Sequence, residues 1–269
     1  MSSLHITLFG PPRAAHDGVP VSFQRCQTLG LLAYLAATGR PHTRDALATL
    51  FWPEQDEQRT HAALRRSLYD LGRTIGKDWL EMEDHRVALP AQPGLGVDVR
   101  RFCAWRTHVT AHDHTPRSLC DDCLAALAEA AGLYQDDFLA GFTLKGSAEF
   151  DTWQTVTTES LRLDLAATLE KLAGALLARG EIERALPHAR RWLALDPLHE
   201  ASHRLLMQLH ARAGDRAALA RQYGQCADVL AAELGVEPAP ETTALYYALL
   251  QGQSAPRPRV RDRPGAPAR

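Results

Sequence analysis

Five side chains with metal-binding chemistry crowd into 16 residues: His108, His112, His114, Cys120 and Cys123. A Cys-x-x-Cys pair beside histidines can supply the thiolates and imidazoles of a tetrahedral zinc site. No second Cys-x-x-Cys accompanies it, and the segment reads as a connection between domains. The preferred reading is a solvated, His-rich loop with two thiols, and no metal or other cofactor is assigned. A second set, His199-Glu-Ala-Ser-His203, is a literal H-E-x-x-H. Imidazoles at i and i+4 of a helix could bind zinc, with Glu200 as general base. The rest of a metalloprotease centre is missing. Leu206 and Leu209 stand where the extended motif needs Gly and His, and Glu233 carries no motif as a third ligand. Gly76-Lys77 is followed by Asp78, so there is no phosphate loop, and neither G-x-G-x-x-G nor G-x-S-x-G occurs. Nothing makes a positive case for an enzyme.

The third constellation is basic. At ~100° per residue, the stretch Gln58–Ile75 places Leu64, Leu68, Leu71 and Ile75 in one narrow stripe. Arg59, Arg65, Arg66, Tyr69 and Arg73 spread over the opposite half of the wheel. From Arg59 to Lys77 five residues are basic and one, Asp70, is acidic. One face can therefore anchor to a core while the other presents guanidinium groups, which pair with phosphates and contact guanine edges bidentately. An ordinary solvated helix face in an Arg-rich chain shows the same pattern, so the surrounding elements must decide.

Those elements alternate strand and helix signals. Leu4–Phe9 alternates with period two, Asp17-Gly18 is a turn signal, and Val19–Phe23 reads as another short strand. Leu29, Leu32, Ala33 and Leu35-Ala36 recur at helical spacing, with Gly39 as C-cap. Thr43 can cap a short second helix, Arg44–Phe51, which Trp52-Pro53 ends. The basic helix follows and stops at Gly76. Trp79–Met82, a turn at Glu83–His85 and Arg86–Leu89 suggest a two-stranded ribbon. Strands, three helices and a hairpin in this order are those of a winged helix-turn-helix. From Leu119 to Gln251 the chain reads as helical almost throughout, broken at Gly141, Gly146, Gly180, Asp196-Pro197, Gly214 and Gly235–Pro238. The pairs Leu172/Leu206 and Gly180/Gly214 are each 34 residues apart, the tetratricopeptide period. Helix pairs of that kind bury their apolar faces by stacking on neighbours.

Length and composition agree. At ~150 residues per domain, 269 residues suggest two domains. With 45% hydrophobic and 23% charged residues, most of the chain should fold. No stretch reaches the ~18 apolar residues of a membrane span, and the N-terminus carries no secretory pattern. Five scattered cysteines fit a reduced, cytoplasmic protein rather than a disulfide scaffold. The net charge of −2 divides unevenly: +2 over residues 1–106, −8 over 107–252 and +4 over 253–269. The expected domains are a winged-helix domain at 1–106, a helical-repeat domain at 107–251 and a disordered basic tail at 252–269 with four prolines. The fold class is mainly α, an N-terminal α/β winged helix-turn-helix followed by an all-α tetratricopeptide-like domain.

Taken as an ordered set, many residues resemble the SARP-type bacterial transcriptional regulators, whose body is the bacterial transcriptional activator domain. In the head the resemblance rests on Leu31-Leu-Ala-Tyr-Leu35, Thr43-Arg-Asp-Ala-Leu47, Leu50-Phe-Trp-Pro53, Leu64-Arg-Arg66 and Val97-Asp-Val. In the body it rests on Asp137-Phe-Leu-Ala-Gly-Phe142, Phe150-Asp-Thr-Trp153, Leu195-Asp-Pro-Leu198, His203-Arg-Leu-Leu-Met207 and Glu233-Leu-Gly-Val-Glu-Pro238. It covers roughly residues 4–250. It implies an OmpR-type winged helix with Arg59–Ile75 as recognition helix and Trp79–Leu89 as wing, on a promoter-binding activator that contacts RNA polymerase. Within it Glu200 and His203 look like repeat-packing residues. One departure stands out: Gly72 occupies a position where such helices usually carry Arg. Similar heads often precede large nucleotide-binding switch domains.

The expected function is sequence-specific regulation of transcription. The expected DNA-contacting residues are Arg59, His61, Arg65, Arg66, Tyr69, Arg73, Lys77 and Arg86, with no catalytic residue and no metal ligand. Expected partners are double-stranded promoter DNA, RNA polymerase and a second copy of the chain, with no membrane. The rivals are a repeat adaptor without DNA binding and, more remotely, the H-E-x-x-H protease.

Overall fold

The computed structural model describes residues 2–112 and 119–252; His114 and the basic tail from 253 lie outside them. The chain divides into two compact units, Met1–Thr168 and Leu169–Arg269.

The first unit opens on a four-stranded sheet of order β3-β2-β1-β7. Strand β1 (Leu4–Thr7) buries Leu4 and Ile6 and exposes His5 and Thr7, the period of two read from sequence. It pairs antiparallel with β2 (Arg13–His16), which in turn pairs with β3 (Val19–Val21). The β2–β3 turn has positive φ at Asp17 (48°) and Gly18 (79°), the primed geometry that follows strand twist. Strands β2 and β7 (Leu95–Val97) carry no strong local signal. Strand β7 gains its place from tertiary pairing, lying parallel to β1 with Leu4 opposite Leu95.

Helix α1 (Cys26–Thr38) ends at Gly39 (φ 64°). Strand β4 (His42–Thr43) leads into α2 (Arg44–Phe51), where Thr43 Oγ1 accepts the Ala46 N–H at 3.2 Å. Helix α3 (Glu57–Ile75) is capped by Asp56, whose carboxylate accepts the Arg59 N–H at 3.0 Å. A 3-10 turn (Lys77–Trp79) follows, then the ribbon of β5 (Glu81–Glu83) and β6 (Arg86–Ala88), which joins β4 in a second sheet of order β4-β6-β5. This is a winged helix-turn-helix.

Helix α4 (Asp98–Ala111) is tied to this head by two half-buried polar side chains. The Asp98 carboxylate accepts the N–H groups of Leu8 (2.8 Å), Phe9 (2.9 Å) and Val99 (2.7 Å). Arg100 donates to the carbonyls of Ala36 (2.6 Å), Leu35 (2.9 Å) and Leu89 (2.7 Å), satisfying the orphan C-terminal acceptors of α1. Residues 107–111, read from sequence as part of a connection, form the last turns of α4, because Val99, Phe102 and Val109 continue its buried side. Helix α5 (Asp121–Leu133) and the first part of α6 (Ala148–Ala178) belong to the same unit. Between them Phe138 bridges to Phe9 and Gly10, and an aromatic cluster of Tyr34, Phe51, Phe138, Phe150 and Trp153 fills the interior.

The second unit comprises the end of α6, α7 (Ile182–Leu195), α8 (Glu200–Arg212), α9 (Arg216–Leu234) and α10 (Pro240–Leu250). The 34-residue period is visible in its backbone. The Glu181 N–H donates to Leu176 O at 2.9 Å, and the Asp215 N–H donates to His210 O at 3.0 Å. Each bond closes a helix end around a left-handed glycine, Gly180 (φ 77°) or Gly214 (φ 76°). Leu172 and Leu206 are both buried, as are Met207, Leu219 and Leu245, with Tyr223 stacked on Tyr246 at 4.1 Å. No helix among the described residues is long and apolar enough to cross a membrane.

Candidate nucleic-acid interface

Helix α3 separates its side chains as the wheel requires. Leu64, Leu68, Leu71 and Ile75 are at most 3% exposed and face the core formed with α1 and α2. Burial of four such side chains contributes roughly 1.5–3 kcal/mol each, so the rotation of the helix about its axis is strongly determined. Arg59, Arg65, Arg66 and Arg73 are exposed, and Tyr69 is 61% exposed. Among the described residues Arg65, Arg66 and Arg73 make no ion pair or hydrogen bond, so their donors are available. Arg59 lies 3.1 Å from the Asp56 carboxylate at the helix N-terminus, both largely solvated.

The other candidate residues stand apart from that face. His61 is half-buried toward α2, its Nε2 3.5 Å from Asp45. Lys77 is exposed in the 3-10 turn, its methylenes beside Gly72. Arg86 is exposed on β6, opposite Thr43 and Glu83 in register, and shares a small hollow with Glu81 and Glu83, which offset its charge. The face brings together Arg59, Arg65, Arg66, Tyr69 and Arg73; Lys77 closes its C-terminal end and Arg86 lies on the wing.

Two residues escape the periodicity argument. Arg44, the first residue of α2, lines a groove of about 780 Å³ with Glu57, Gln58, His61, Leu64 and Arg65. Arg25, just before α1, pairs with Asp70 at 3.0 Å.

Gly72 is buried, and a Cβ there would meet Lys77 Cγ at 3.3 Å and Leu80 Cδ1 at 3.8 Å. The position faces the packed 3-10 turn, and its lack of a side chain allows that turn to lie close.

The H-E-x-x-H set is committed to packing. His203 is 1% exposed, with Nε2 2.9 Å from Pro197 O and Nδ1 2.8 Å from Gln222 Nε2, so both ring nitrogens are used. The Glu200 carboxylate accepts the Ala239 N–H at 3.0 Å, at the start of α10, and His199 lies against the Trp192 ring. With both His203 nitrogens engaged within the protein, the pair cannot present two imidazoles to one ion, and the protease reading has no geometric support.

Comparison with known proteins bears on the whole arrangement. Residues 97–250 match the model of the bacterial transcriptional activator domain. The chain is 27% identical to the regulatory protein AfsR of Streptomyces griseus over 257 residues, which is 93% of this chain and 25% of that protein. It is 25% identical to the transcriptional regulatory protein MoaR1 of Mycobacterium tuberculosis, over 77% of this chain and 66% of that protein. The chain thus spans a quarter of the length of the AfsR proteins. Among solved structures it is similar to Mycobacterium tuberculosis EmbR in complex with a low-affinity phosphopeptide, with a TM-score of 0.72, 21% identity and coverage of 94% of this chain and 66% of that one. That likeness shows the fold alone. With more than half of its residues in the family match and a winged helix preceding them, the chain belongs to the bacterial transcriptional activator domain family, as a regulator of SARP type.

Proposed function

We propose that this chain binds promoter DNA sequence-specifically through α3 and activates transcription through protein contacts of its helical body. The observation that carries the reading is the division of α3: a buried leucine stripe and, opposite it, Arg65, Arg66, Tyr69 and Arg73 turned to solvent. Such a helix fits the major groove, where Arg reads guanine and phosphate contacts set the register. Arg44 at the start of α2, Lys77 and the wing residue Arg86 stand where flanking phosphates would lie. The net −8 of residues 107–252 disfavours phosphate and suits a protein partner, RNA polymerase or a second copy of the chain.

The test is genome-wide mapping of bound sites followed by footprinting with Arg65→Ala/Arg66→Ala. The double variant should lose the footprint while retaining its helical content, since both side chains are outside the core. Each lost base contact removes about 1–3 kcal/mol of discrimination. Affinity of the unaltered chain should also fall steeply as salt rises. An unchanged footprint in the variant, or no retention of DNA at low salt, overturns the proposal.

A further inference from the structure

The His/Cys cluster at the end of α4 and the start of α5, within the first unit, is assembled by the fold, although its sequence reads as a solvated loop. His108 lies in the last turn of α4 and His112 is its C-cap, in extended backbone that turns its ring back toward His108. Cys120 is the N-cap of α5, and Cys123 lies one turn further along. The imidazole nitrogens of His108 and His112 and the Sγ of Cys123 lie within 4.8 Å of one another. His112 Nδ1 is 3.0 Å from Cys123 Sγ and 3.8 Å from Cys120 Sγ, and the two thiols hydrogen-bond to each other. The two histidine rings sit 4.6 Å apart, with Trp105 against His108 at 5.9 Å.

From these positions we infer that His108, His112, Cys120 and Cys123 form a tetrahedral zinc site that clips the end of α4 to the start of α5. Metal–ligand bonds of about 2.0–2.3 Å put neighbouring ligand atoms about 3.3–3.8 Å apart in a tetrahedron. The two His112–sulfur separations bracket that range. His108, exposed at the surface, lies with its ligand atom within 4.8 Å of those of His112 and Cys123 and completes the set. Two soft thiolates and two imidazoles match zinc in type as well as number. The N-terminus of α5 holds one of the ligands in place: the Cys123 backbone N–H donates to Cys120 Sγ at 3.4 Å. Cys123 is fully buried, so the centre is closed on its inner side as a structural site requires. Because Asp98 and Arg100 already tie α4 to the winged helix, the ion fixes α5 to the DNA-binding head. Binding zinc displaces a proton from each thiol, leaving two thiolates that balance the ion's charge.

The experiment uses the full, untagged chain, reduced and stripped with a chelator, and titrates it with Co2+ alone. The expected result is about one Co2+ per chain, with thiolate-to-cobalt charge-transfer absorbance and the strong visible bands of a tetrahedral centre, displaced by Zn2+. His108→Gln and Cys120→Ser, both away from the core, should each weaken binding tenfold or more while circular dichroism stays unchanged. Zn2+ should raise the melting temperature of the unaltered chain and of neither variant. A folded, reduced chain that gives no thiolate–cobalt band overturns the inference. So does cobalt affinity in both variants equal to that of the unaltered chain, or a chain whose Cys120 and Cys123 are joined as a disulfide and take up no metal after reduction.

Discussion

Asp70, the one acidic side chain between Arg59 and Lys77, is held by Arg25 at 3.0 Å, across 45 residues of chain. The pair is partly solvated, and its worth to stability is at most about 1 kcal/mol. Its electrostatic effect is larger in consequence, because it neutralises the only carboxylate on a face otherwise made of arginine. Arg25→Ala should weaken DNA retention severalfold, and Arg25→Ala/Asp70→Asn should restore it. Both changes should leave the urea midpoint nearly unmoved. A single variant that binds as tightly as the parent would show that Asp70 is far from the phosphates.

Arg100 is the main polar joint between α4 and the winged helix. Its three hydrogen bonds reach carbonyls of α1 and of the segment after β6. Truncation to Ala takes this donor from the Ala36 and Leu89 carbonyls, while Leu35 O keeps the Gly39 N–H, and should cost about 2–3 kcal/mol in chemical denaturation. Lys at this position supplies a point charge instead of a fork and should recover less than half of that loss.

His42 sits between α1 and α2, with Nε2 2.8 Å from Thr38 Oγ1 and its ring against Tyr34. The Thr38 hydroxyl already donates to Tyr34 O, so the neutral His42 fits as the donor to that oxygen. Burial first, and the Arg40 charge second, hold its pKa below the ordinary histidine value. The folded pKa is therefore depressed relative to the unfolded chain. Its stabilising contribution is full above about pH 6.5 and is lost as pH falls through the folded value. Urea midpoints followed downward from neutral pH should decline in this window, and His42→Gln should flatten that part of the profile.

Gly72 should separate helix propensity from packing. Gly72→Ala gains about 0.5–1 kcal/mol of helix propensity, its one tight contact is with the flexible Lys77 chain and Leu80 lies at ordinary contact distance, so it should stabilise the protein slightly. Gly72→Arg, the residue that resemblance places here, must displace Lys77 and the nearly buried Leu80 and should destabilise it by about 1–3 kcal/mol. Thermal melts of the two variants, shifted in opposite directions, check this.

Much of the molecule was legible from local pattern. The rotation of α3, the cap Thr43, the stop at Gly39, the ribbon and the paired glycines 34 residues apart all follow from side-chain period and backbone stereochemistry within a few turns. The outward set Arg59, Arg65, Arg66, Tyr69 and Arg73 was legible for the same reason, since one buried stripe determines where every other side chain of a helix points. His61 was not, because its half-buried position depends on α2 lying beside it.

Other features depend on partners remote in sequence. Strand β7 exists because β1 offers it a parallel edge some 90 residues away. Asp98 and Arg100 take their roles from the ends of β1 and α1, which bring backbone N–H and C=O groups to them. His203 and Glu200 match a zinc motif as a string, yet Gln222, Pro197 and Ala239 occupy their ligand atoms. The cluster at His108 and Cys123 moves the opposite way, from a loop in sequence to converging ligands once α4 extends to Ala111 and α5 begins at Asp121. Periodicity encodes which way a side chain faces; only the packed chain decides what it faces, because that atom comes from another part of the fold.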